Sequence, residues 1–149
     1  MSGRVRFGSD FLVLALDLNA RAGDPSRSPG WAAAMLFLVD WDFTFRELDE
    51  AGDVTRGLYA NNQLDDVNTC IERVCKHLRG NTDASKRLVQ HLSAIATLDG
   101  VLTEAEEFFL GEIRAKLDLK PSDFKSSWER GARISAALLG FSEAANSQE

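Results

Sequence analysis

The sequence predicts an all-α fold, about seven helices in a single compact bundle with a two-fold internal repeat of helix-Asp-loop-helix corners. Three observations predict it. Apolar residues recur at spacings of three and four along most of the chain, as a helix with one buried face requires. Prolines and glycines fall mostly where helices would start or stop. Two Thr-x-x-Glu boxes, Thr44 to Glu47 and Thr103 to Glu106, are helix starts in which a hydroxyl and a carboxylate satisfy free backbone N–H groups. A chain of 149 residues is one domain with room for a core.

The elements follow in order. Residues 1–8 read as a flexible end. The first helix runs from Ser9, its N-cap, to about Ala22, with Phe11, Leu12, Leu14, Ala15, Leu16 and Leu18 as the apolar face. A short strand competes there, because Val5, Phe7, Phe11 and Val13 favour extended backbone. "GDPSRSPG" breaks the chain. Trp31 to Val39, nearly all apolar, reads as a central helix buried on most sides. A helix from Thr44 to about Tyr59 carries a hydrophobic staple between Phe43 and Leu48. Leu64, Val67, Cys70, Ile71, Val74, Cys75 and Leu78 keep helical spacing up to Gly80, a natural stop.

Three more helices complete the chain. One runs Asp83 to Leu98 on Leu88, Leu92, Ile95 and Ala96. Thr103 to Leu117 follows on Phe108, Phe109, Ile113 and Leu117. After the turn "LKPSD", Ser122 to Leu139 packs through Phe124, Trp128, Ile134 and Leu138. Residues 141–149 read as a frayed end.

A net charge of −6 and a pI near 5.0 argue against nucleic acid, which needs a basic surface to displace counterions. Cations and basic protein surfaces fit that charge better. Cys70 and Cys75, five apart on a helix, point in different directions and do not pair. They form no CxxC, and His77 and His91 have no thiols at zinc-ligand spacing. Two reduced, packed cysteines predict a cytoplasmic protein. No span reaches the ~20 apolar residues of a membrane helix, and no leader peptide is legible. Direct membrane insertion is therefore not expected.

The segments around Asp40 and Asp99 share a grammar. An apolar helix runs into the aspartate; four residues later comes Thr44 or Thr103, and three after that Glu47 or Glu106, all at an offset of 59. Such a corner can cap a helix or bind a cation. Calcium needs six to eight oxygens, several of them carboxylate. Laying Asp99 and Glu106 on the fifth and twelfth positions of an EF-hand puts Ile95 and Thr97 at the first and third, and isoleucine offers no ligand. An EF-hand is excluded. Asp40, Asp42, Glu47, Asp49, Glu50 and Asp53 nevertheless crowd the first corner, and Asp99, Glu104, Glu106, Glu107 and Glu112 the second. Acids in a helix's first turn also serve its dipole and keep its face solvated.

Residues 92–119, "LSAIATLDGVLTEAEEFFLGEIRAKLDL", resemble the TerB-like family of tellurite-resistance and stress-response proteins, whose pattern is A-x-x-DG-x-[IVL]-[ST]-x-x-E before an amphipathic helix. Ala96, Asp99, Gly100, Leu102, Thr103 and Glu106 match it. The resemblance implies a seven-helix fold of two repeated halves. It also implies a non-catalytic role in membrane-associated stress or metal-resistance assemblies, with Ca²⁺ or Mg²⁺ held by Asp40, Asp42, Glu47, Asp99 and Glu106. Trp41 departs from it, standing where the first corner should have glycine.

No Gly-rich phosphate loop, nucleophile elbow or HExxH is present, so a non-enzyme is expected. A binding or assembly module with a protein partner is the better reading. Trp31, Trp128, Phe108 and Phe109 are expected in the core; two of them exposed beside acids would mark a partner site. The alternative is a structural or co-chaperone-like interaction domain whose corners are caps without metal. It lacks the His-Pro-Asp of a J-domain.

Overall fold

The computed structural model describes residues 2–18, 28–98 and 103–147, with side chains as far as Ala137. Seven helices occupy them: α1 (Gly3–Leu18), α2 (Pro29–Asp40), α3 (Phe45–Ala60), α4 (Val67–Leu78), α5 (Thr82–Ala96), α6 (Glu104–Leu117) and α7 (Pro121–Ser147). No strand occurs among the described residues. The all-α expectation holds, and the strand alternative for the first segment is overturned.

The centre of the molecule is α1. It packs against α2, α3, α4 and α5, and Phe11, Leu12, Leu14 and Ala15 are wholly inaccessible. It starts six residues before Ser9, and Val5 and Phe7 lie in the core. The segment read as a flexible start is thus part of the fold. Ser9 is not a cap but a buried mid-helix residue, sharing a 2.8 Å hydrogen bond with Thr55 of α3. Its neighbour Asp10 is also buried and receives two bonds from Arg73 of α4, Nε to Oδ2 at 3.0 Å and Nη2 to Oδ1 at 2.8 Å. A carboxylate can be buried here because the guanidinium fork satisfies both oxygens.

The helix expected at the centre, α2, is buried on one side only. Trp31, Ala34 and Leu38 face the core, whereas Leu36 is 62% and Val39 49% exposed. An apolar run cannot by itself say which of its faces meets a neighbour, and α1, with more partners around it, takes the middle.

The last helix also departs from expectation. Its buried face is Ser127, Gly131 and Ser135, while Phe124, Trp128 and Ile134 are half-buried. The partner is α5, running in the same direction: Lys86 lies 3.5 Å from Asp123, and Ser93 donates to the Trp128 carbonyl at 2.8 Å. A Cβ on Gly131 would stand 2.2 Å from the Gln90 carbonyl oxygen, so only glycine allows this approach. Small residues let two backbones come close, and bulky ones are displaced to the flanks. Far from ending at Leu139, α7 continues through residues read as frayed, to Ser147.

Candidate functional site: two helix corners

The first corner joins α2 to α3. α2 ends at Asp40, and Trp41 caps it with ordinary φ. Asp42 then takes the left-handed conformation, φ 64°. Asp42 donates its N–H to Val39 O at 2.9 Å and Phe43 donates to Leu38 O at 3.1 Å. These two bonds form a Schellman motif, whose left-handed residue is more often glycine. Aspartate tolerates that conformation better than most side chains. Trp41 therefore does not spoil the corner, because the turn demands its special residue one position later.

Thr44 then caps α3. Its hydroxyl accepts from Glu47 N–H at 3.2 Å, and its own N–H donates to Glu47 Oε1 at 2.9 Å. Arg4 of α1 supplies the cation of this corner. Its Nε donates to Glu47 Oε2 at 2.7 Å and its Nη2 to the Asp42 carbonyl at 2.8 Å. The guanidinium also lies 4.7 Å from the centre of the Phe43 ring, a cation–π distance. The Thr44 N–H bond first, and Arg4 second, hold the Glu47 carboxyl below its ordinary pKa.

Asp40 is turned to a different task. Its Oδ2 lies 3.3 Å from His91 Nε2 and 3.9 Å from Arg87 Nε. His91, 2% exposed on α5, stacks on Phe37 with centroids 4.2 Å apart and meets the edge of Phe11. Trp41 Nε1–H donates to His91 Nδ1 at 3.0 Å, so the neutral ring carries its proton on Nε2, toward Asp40. Burial pushes the His91 pKa down to about 4, against the opposing pull of Asp40. Trp41 is thus the hydrogen-bond donor that orients a buried histidine.

The second corner joins α5 to α6. α5 ends at Ala96, with Thr97 as its cap, whereas α2 runs as far as Asp40, the counterpart of Asp99. Asp99 and Gly100 lie outside the described residues. The capping box is again complete: Thr103 Oγ1 accepts from Glu106 N–H, and Glu106 Oε1 accepts from Thr103 N–H, both at 3.1 Å. Here the resemblance between the corners stops. Glu106 Oε2 is buried with no hydrogen-bond partner among the described residues, where Glu47 Oε2 has Arg4.

Among the five residues predicted to hold a cation, Asp40 thus faces His91 and Arg87, Glu47 is taken by Thr44 and Arg4, and Asp42 contributes its carbonyl to Arg4 while its side chain is exposed. Glu106 caps α6, and Asp99 is not described. Among the described residues, no three of His, Cys, Asp and Glu come together in a group that could hold a metal. Sequence reasoning missed Arg4 and the Trp41–His91 pair. A signal existed for the second: a tryptophan in a helix-ending turn between two aspartates, whose indole N–H needs a partner wherever the ring is packed, asks for a tertiary reason. Arg4, one of 17 basic residues, offered none.

Cys70 and Cys75 are free and buried. Burial raises their pKa values to about 12 and about 11. Among the described residues, no helix is long and apolar enough to cross a membrane.

The fold and corners define the class: an all-helical protein built around one buried helix. No protein-family model, curated protein or solved structure matches the chain.

Proposed function

We propose that this chain is a non-enzymatic, TerB-like helical module of the stress-response or metal-resistance kind, working in the cytoplasm through a protein partner in a membrane-associated assembly. A divalent cation, Ca²⁺ or Mg²⁺, belongs to the second corner only, with Asp99 and Glu106 as ligands. The observation that carries this reading is the inequality between two carboxylates at matching positions: Glu47 Oε2 is met by Arg4, and the buried Glu106 Oε2 has no partner among the described residues. A buried carboxylate oxygen left unsatisfied is costly, and a cation would satisfy it. The non-enzymatic half is supported by thiols whose pKa values are pushed far above neutrality. It is also supported by a histidine with both ring nitrogens engaged. A second reading, with both corners purely structural and no metal, is favoured by the two complete capping boxes.

Titration with Ca²⁺ and Mg²⁺ by calorimetry separates the two. The cation reading expects heat in the wild type that vanishes in Asp99→Ala and Glu106→Gln and persists in Asp40→Ala. No heat in the wild type, with Tm lowered in Glu106→Gln, would leave the corners as architecture. Heat lost in Asp40→Ala would move the site to the first corner and overturn the assignment.

A further inference from the structure

A groove of about 380 Å³ opens between α6 and α7, lined by Glu107, Gly111, Phe124, Lys125 and Trp128. Its walls are mostly carbon. Phe124 and Trp128 stand side by side with centroids 6.1 Å apart, and Gly111 contributes no side chain, so a Cβ there would meet nothing within 4 Å. Next to Glu107 on α6 stands Phe108, 71% exposed, although its helical spacing had marked it for the core. Two of the four aromatic residues expected inside therefore border an acidic helix start, while Trp31 and Phe109 are buried.

The charge on the rim identifies the occupant. Glu104 and Glu107 are exposed in the first turn of α6 and make no ion pair among the described residues. Lys125 is the single base lining the groove. The whole chain carries −6. An apolar cleft whose α6 side is acidic takes a ligand that brings bulky apolar side chains and, along that side, bases.

We propose that the α6–α7 groove is a docking site for an amphipathic helical segment of another protein, with bulky apolar anchors flanked by lysine or arginine. The anchors enter between Gly111 and the Phe124–Trp128 pair, and the bases lie along Glu104 and Glu107. This rests on the interaction-module part of the proposed function and not on its cation part. A second copy of the chain is the rival occupant, because Phe45, 85% exposed, is followed by the exposed Arg46. Another exposed apolar face, Leu36 and Val39 on α2, instead runs into Asp40 and Asp42, the wrong charge for this rim.

The probe is a synthetic amphipathic helix of leucine and lysine, with a leucine–glutamate peptide as control, titrated by fluorescence anisotropy in the presence of a chelator. Gly111→Leu fills the groove on a helix position that gains propensity, so it keeps the fold, which circular dichroism verifies. The lysine peptide is expected to bind the wild type, to lose at least about tenfold in Gly111→Leu and in Glu107→Lys, and to weaken with salt. The glutamate peptide should not bind. Unchanged affinity in Gly111→Leu would overturn the groove while leaving an interaction module that binds elsewhere. Absence of any binding to the wild type would overturn the inference. So would self-association of the wild type, seen by sedimentation and abolished by Phe45→Ser, that the lysine peptide fails to displace.

Discussion

The two corners begin from the same letters and finish with different chemistry. In both, Thr and Glu three apart close a capping box. The first corner is then saturated from outside its own hairpin: Arg4 from α1 takes Glu47 and the Asp42 carbonyl, and His91 from α5 takes Asp40 and Trp41. The second keeps a carboxylate oxygen with no partner among the described residues and an exposed phenylalanine two positions further on. A local motif determines its local hydrogen bonds and leaves its remaining valences to whatever the fold brings near. Where the fold brings an arginine and a histidine, as at the first corner, the corner becomes a joint between helices.

The largest test of that contrast is acid. His91 has a folded pKa of about 4 against an ordinary 6.5. Between those values the unfolded chain holds a proton that the native chain refuses, so stability rises with pH across the window. It is complete above pH 6.5 and lost as pH falls to 4, by about 3 kcal/mol. Protonation would put a second N–H opposite the Trp41 donor, so the first corner opens, and no histidine among the described residues stands at the second. Denaturant unfolding from pH 7 to pH 4 should show this slope, and His91→Gln, which cannot titrate, should flatten it. An equal slope in both proteins would assign the acid sensitivity to carboxylates.

A smaller effect comes from the caps. Thr103→Ala and Thr44→Ala should each cost about 1 kcal/mol. Combined with Arg4→Met, Thr44→Ala is expected to be non-additive, because both act through Glu47, whereas Thr103→Ala should add independently. Additivity at both corners would mean that Arg4 merely lies on the surface. Smallest of all is Arg4→Met alone, expected to lower Tm by about 2 °C, with the loss shrinking in high salt because the pair is half exposed.

Much of this architecture was legible in advance. The count of helices, both N-caps at Thr44 and Thr103, and the end of the fourth helix before Gly80, with φ 91°, depend on neighbours within one turn, and such bonds are written in adjacent letters. What escaped had longer range. "WAAAMLFLV" looked more central than "DFLVLALDL" because hydropathy counts apolar atoms and ignores what surrounds them. Asp10, which opens the second run, was the better clue, since a charge beside so many apolar residues must find a distant partner, here Arg73, 63 residues away.

By itself, then, the sequence determined the helical class, the caps and the spacing of the two corners, because backbone N–H groups are satisfied within three or four residues or not at all. Only the tertiary structure decided which helix sits in the middle, which face of α7 is buried, and what closes the first corner. Those outcomes turn on whether a glycine admits a neighbouring backbone at Gly131 and whether Arg4 and His91 reach across from other helices. No local pattern encodes contacts of that kind.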